Sequence, residues 1–288
     1  MKIGGVLVSV AIAAILWAPG PTRADDISAP PPDGTGSPYF VGYSYPGQVN
    51  CTSGGLCVIT VTAPDGIQNG DVLIVDLQAT SKLKKAYPVP DELPDGWATL
   101  GMNKNKKKTA IYSNNGGSRK FTDYILAYVV GSGSNDTGAY EIGFSQINDS
   151  STSLNAFLVA YRAASSDLSS YLAYAYPVNY VNSYSTTASR KVTTVNATLL
   201  TLFSGNPNKA DPNAQCVKYG PISGSPTLTE ETPHNPCADD PVDHELFAAD
   251  IAVPAAPKSF GGYSSLINGG NNGYGGANYA FQVIIPPQ

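Results

Sequence analysis

Three aspartates, Asp65, Asp71 and Asp76, fall within twelve positions of the stretch TAPDGIQNGDVLIVDLQAT (62–80). Paired carboxyl groups can divide acid and base work in a hydrolysis, provided that a defined separation holds them across a cleft. Asp65 lies in Pro64-Asp65-Gly66, where proline presets φ and glycine supplies a positive φ for a turn. Asp71 follows Asn69-Gly70, another turn, and the Pro-Asp-Gly triplet recurs at 32–34 and 94–96. Asp76 is different. It stands inside a β-branched run, on one face with Val72 and Ile74, while Leu73, Val75 and Leu77 take the other. Turn chemistry accounts for the first two acids. Asp76 is expected at solvent near a sheet edge, or buried beside a partner.

A second cluster, EETPHNPCADDPVDHE (230–245), holds both histidines of the chain. Cys216, His234, Cys237 and His244 could form a zinc set, but their spacing is not that of a known zinc site, and exported thiols are usually oxidised. Asp239, Asp240 and Asp243 offer the oxygen ligands that calcium prefers, without the spacing of an EF-hand. The plain reading is a solvated acidic loop. Nucleophilic catalysis finds no Gly-x-Ser-x-Gly elbow to build on.

Two further groups suit binding. Tyr171, Tyr174, Tyr176, Tyr180 and Tyr184 crowd a segment broken by Pro177, and the polar run after it reads as a long exposed loop. Tyrosine carries an apolar ring with a polar tip, which fits sugar stacking and protein interfaces alike. Lys104, Lys106, Lys107 and Lys108, with Lys82, Lys84, Lys85, Arg119 and Lys120, lie beside turns and could line one rim. Such a rim discourages edge pairing, or it attracts acidic glycans or the acidic loop of a neighbouring copy.

The elements that must position these residues are strands. Lys2, the apolar run Gly4–Ala18 and the Thr22-Arg23-Ala24 end read as a signal peptide (1–24), which makes the protein secreted or cell-surface. No later stretch is long and apolar enough for a membrane span. Residues 25–38 form a Pro/Gly-rich leader expected to be disordered. The formal net charge of −5 argues against nucleic acid as a partner. With 29 Gly, 23 Pro and 18 Tyr, the rest reads as turns and strands rather than helices. Four cysteines in an exported chain suggest two disulfides; locality favours Cys51–Cys57 and Cys216–Cys237, with other pairings open.

Strands are expected at YFVGYSY, LCVITVTA, GDVLIVDLQAT, TAIYS, FTDYILAYVVG, AYEIGFSQI, SLNAFLVAYRA, NATLLTLFSG, ELFAADIAV and NYAFQVIIPP. The run Pro64-x-Gly66-Ile67-x-x-Gly70-Asp71-Val72-Leu73, then Pro94-x-Gly96-Trp97, resembles a β-sandwich family of phage virion and exported bacterial surface proteins. The resemblance spans roughly 40–287. It implies a jelly-roll-like or Ig-like sandwich and no particular chemistry. The chain departs from that pattern in its Tyr-rich stretch at 171–184 and in the segment 206–245.

The expectation is therefore one antiparallel β-sandwich over 39–288, all-β, with a disulfide-tied loop insertion at 206–245. It would be a non-enzymatic structural or binding module recognising a glycan or surface protein, with calcium as the one cofactor worth testing. A self-assembling fibre or coat subunit, hence a homo-oligomer, is one alternative; a carbohydrate-active hydrolase or lyase is another.

Overall fold

A computed structural model describes residues 36–45, 48–51, 55–81, 93–100, 110–115, 119–133, 138–147, 153–179, 184–206, 218–231, 245–253, 258–260, 262–268 and 277–288. The signal segment, most of the leader, Lys104, Lys106, Lys107, Lys108, Tyr180, Cys216, Cys237, Asp239, Asp240 and Asp243 lie outside these residues. In chain order the first strands are β1 (Tyr39–Ser44), β2 (Gln48–Asn50), β3 (Gly55–Thr62), β4 (Val72–Ser81), β5 (Ala98–Thr99) and β6 (Ala110–Asn115). Then come β7 (Arg119–Val129), β8 (Ala139–Ile147), β9 (Ser153–Arg162), β10 (Leu172–Asn179), β11 (Tyr184–Thr186) and β12 (Arg190–Val192). The rest are β13 (Ala197–Asn206), β14 (Lys218–Ser223), β15 (Thr229–Glu230), β16 (Glu245–Val253), β17 (Lys258–Phe260), β18 (Ser264–Asn268) and β19 (Ala277–Ile285).

Two antiparallel sheets carry the fold. The first runs β1-β9-β4-β7-β5, with β2 on β9 and β6 on β7; the second runs β10-β19-β13-β16-β15. Their facing sides close on one core, which takes Val72, Ile74, Ile125, Ala127 and Val159 from the first sheet and Leu200, Leu202, Phe281 and Val283 from the second. The ribbon β3-β8 covers the far side of the first sheet, packing Ile59, Val61 and Ile142 on Leu73, Val75 and Leu77. Val192, Phe260 and Tyr263 cover the far side of the second, over Leu199, Phe203 and Ile284. The central strands of each sheet are thus buried on both faces.

That layering explains β4. An antiparallel strand with one wet face alternates apolar and polar residues, whereas a strand covered on both faces reads as a continuous apolar run. Val72, Leu73, Ile74, Val75 and Leu77 are all fully buried. At 1.5–3 kcal/mol per side chain, their removal from water contributes about 10 kcal/mol before the entropy of ordering is subtracted.

The turns have equally local causes. Gly66 and Gly96 sit at φ +79° and +83°, the left-handed region that Pro-x-Gly turns require. After the second of them Trp97 stacks on Tyr128, with centroids 5.3 Å apart and planes 12° from parallel, and meets Tyr140 edge-on. The Pro-Gly-Trp signature is therefore an anchor for the ribbon side of the first sheet.

Three expectations change. The segment 206–245 is not loop throughout, since β14 and β15 lie within it. The Tyr-rich stretch supplies β10 and β11 rather than one long loop. Pro177 is tolerated because β10 ends the second sheet, and its register shifts between Tyr176 and Asn179. The leader, expected to be disordered throughout, is docked at its end: Ser37 is buried, and Thr198 Oγ1 donates to the carbonyl of Pro38 at 2.5 Å.

Candidate functional site

The three opening aspartates do not converge. Asp65 is exposed in its turn. Asp71 is buried and fully engaged: Arg162 donates from Nε to Oδ1 and from Nη2 to Oδ2, both at 2.8 Å, and the Gln68 amide donates to Oδ2 at 2.7 Å. The same guanidinium reaches the Gly66 carbonyl at 2.8 Å. Asp71 thus ties the two turns before β4 to the end of β9. This pairing raises the Arg162 pKa further, with the hydrogen bond to Asp71 as its largest cause. A fork of two parallel bonds to one carboxylate is the geometry that arginine provides and lysine does not.

Asp76 matches neither expectation. It is fully buried in the core between the two sheets, beside Ile125 on β7 and Phe157 on β9, and neither carboxyl oxygen has a hydrogen-bond partner. Burial pushes its pKa up to about 8, so the group is mainly an uncharged acid at neutral pH. Two residues further along the same face of β4 lies Gln78, opposite Asn155, and Tyr45 donates its hydroxyl to Asn155 Oδ1 at 3.0 Å. The inner face of β4 therefore turns polar towards this end.

A second buried acid joins the sheets. Tyr161 on β9 donates its hydroxyl to Oδ2 of Asp250 on β16 at 2.6 Å, crossing from the first sheet to the second. Glu231, one residue past β15, hydrogen-bonds the Asp250 side chain. Burial drives the Asp250 pKa up to about 6, against the lowering effect of the bonds to Tyr161 and Glu231. The Tyr161 phenol is held well above its usual range, first by burial and then by Asp250 and Glu231. Two carboxyl groups in hydrogen-bond contact must share a proton between them. The arrangement can store a proton.

The sequence carries only a trace of this cluster. Asp250 interrupts the apolar alternation of ELFAADIAV in the way that Asp76 interrupts β4. Glu231 reads as part of the acidic run 230–245.

The candidate binding residues divide. Tyr171 belongs to the core: its ring is buried, and its hydroxyl donates to the Ser165 carbonyl at 2.8 Å. Tyr174 is half-buried on the outer face of β10, with the Arg190 guanidinium 3.6 Å above its ring centroid. Leu172, two positions earlier on that face, is 45% exposed. Tyr176 and Tyr184 lie on β10 and β11. Cys51 and Cys57 form the expected local disulfide, tying the start of β3 to the chain after β2.

The chain matches no protein-family model, and comparison with curated proteins and with solved structures returns no significant match. The strand pairing and the disulfide define the class: an all-β, antiparallel, disulfide-containing protein.

Proposed function

We propose that this protein is an exported, non-enzymatic structural and binding module of the surface or virion type, which recognises a glycan or protein partner at the margin of a rigid sandwich. The observation that carries this reading is the outer face of β10. There an exposed Leu172, the Tyr174 ring and the Arg190 guanidinium form a ledge on the last strand of the second sheet. A guanidinium stacked on an aromatic ring gives a sugar or a protein partner a flat platform with hydrogen-bond donors at its rim, of the kind enriched at interfaces. The central strands, covered on both faces, supply the rigidity that a surface module needs, and the buried acids Asp71, Asp76 and Asp250 serve the packing. The lysines at 104–108 extend the reading to acidic glycans.

The test is a glycan and surface-protein array probed with the folded protein and with Arg190→Ala, Tyr174→Ala and Lys107→Ala. A bound class that weakens about tenfold with Arg190→Ala, the loss of roughly 1.4 kcal/mol, supports the ledge. Binding untouched by all three substitutions sinks it.

A further inference from the structure

Charge is unevenly spread over the second half of the chain. The net charge is −5, yet residues 168–210 and 251–288 contain no Asp or Glu. Those stretches supply β10, β11, β12, β13, β17, β18 and β19. Within the second sheet, Glu230, Glu245 and Asp250 stand on β15 and β16, at the margin opposite β10. Asp167, the acid that precedes β10, is held by Ser169, whose amide and hydroxyl donate to its Oδ1 at 3.0 and 2.6 Å.

The cations near the β10 margin sit on the ribbon β12–β17, where Arg190 pairs with Phe260, Lys191 with Ser259 and Val192 with Lys258. Val192 and Phe260 are buried in the outer core and anchor the ribbon on the second sheet. Lys191 and Ser259 alternate with them and are exposed. Arg190 and Lys258 stand at diagonal corners of the ribbon, their backbones about 7–8 Å apart. The first lies over the Tyr174 ring at 3.6 Å, the second over the Phe260 ring at 5.5 Å. A ring beneath a long cationic side chain limits its wandering, so less freedom is lost when an anion arrives. Among the described residues, no carboxylate pairs with Lys191 or Lys258.

Three cations beside a tyrosine ring, on strands without an acid, fit a polyanion. The surroundings favour one kind. Protein interfaces are depleted in lysine and bury an apolar centre. Here the neighbours Ser189, Thr193 and Ser259 are exposed, small and hydroxylic. A chain of charged sugars offers anions to the cations and hydroxyls to these side chains. We propose that the β12–β17 ribbon and the β10 ledge form one receptor surface for an acidic polysaccharide, whose carboxylate or sulfate groups pair with Arg190, Lys191 and Lys258. Because Arg190 belongs to both parts, this rests on the ledge being a recognition surface, and it adds the class of ligand.

Heparin and alginate, immobilised beside neutral dextran and single-stranded DNA, are the probes for the folded protein at about 50 mM salt. Heparin or alginate should bind and dextran should not, and the binding should weaken as added salt screens the exposed charges. Lys191→Glu combined with Lys258→Glu removes two ion pairs and sets two repulsions in their place, so affinity should fall at least about tenfold. Lys191→Glu alone changes only an exposed side chain. It should weaken binding about threefold, and it keeps the test decisive if the change at Lys258 loosens Phe260. No binding to either polysaccharide, or binding that both variants leave unchanged, overturns the proposal. DNA bound as tightly, with the same dependence on the lysines, also overturns it, because the surface would then read charge alone. A neutral glycan or a protein that is lost with Arg190→Ala and kept with Lys191→Glu overturns the acidic class while the ledge itself stands.

Discussion

Replacing Asp76 by asparagine keeps the side-chain shape and removes the charge at every pH. In the folded chain the Asp76 carboxyl titrates at about 8, whereas an unfolded aspartate titrates near 3.8. Between those values the folded state holds a proton that the unfolded state has released, so stability falls as pH rises. The contribution is fully present below about pH 4 and gone above about pH 8. Four pH units at ~1.4 kcal/mol each give a span of about 6 kcal/mol. That is a large share of the 5–15 kcal/mol that typically holds a domain together. Urea unfolding followed by the fluorescence of Trp97, which is buried against Tyr128, measures it. The stability gap between wild type and Asp76→Asn should move against the wild type by several kcal/mol, about 5 at most, between about pH 4.5 and about pH 8.5. Taking the difference cancels the smaller parallel slope from Asp250, which lies below about pH 6. A gap that stays constant with pH would refute the reasoning, because it would mean that Asp76 is ionised throughout or solvated in the fold.

Two more outcomes follow from the same packing. Arg162→Met should lower stability by about 2–3 kcal/mol: it strands a buried Asp71 with only the Gln68 amide, and the partial exposure of the arginine keeps the loss below that of a fully buried pair. An unchanged urea midpoint would show that the clamp adds nothing. Reducing Cys51–Cys57, six residues apart, should cost about 2 kcal/mol, as expected for a short closed loop, and a reductant titration followed by thermal unfolding reads it directly.

The strands were legible because their causes are local. β4, β7, β9 and β13 each announce themselves as β-branched or aromatic runs between turn residues, and β4, apolar on both its faces, reads as a strand in the middle of a sandwich. The Cys51–Cys57 bridge was legible for the same reason. What the sequence hid depends on which strands meet. Asp76 and Asp250 lie 174 positions apart, and both face the same inter-sheet layer only because β4 and β16 belong to facing sheets. Arg162 finds Asp71 through the β4–β9 register, which no spacing encodes. β15 is too short to show a period, and the tyrosines after Ala164 read as a loop because Pro177 masks an edge strand.

The central claim is that the buried acids serve the fold while the margin of the sheet serves recognition. Calorimetric titration of the array-selected ligand into folded Asp76→Asn, Asp250→Asn and Arg190→Ala separates the two roles. Affinity should stay within about twofold for the two acid variants and drop about tenfold for Arg190→Ala. Loss of binding or of substrate turnover in a folded Asp76→Asn or Asp250→Asn, with Arg190→Ala unaffected, would contradict the account and return those acids to chemistry.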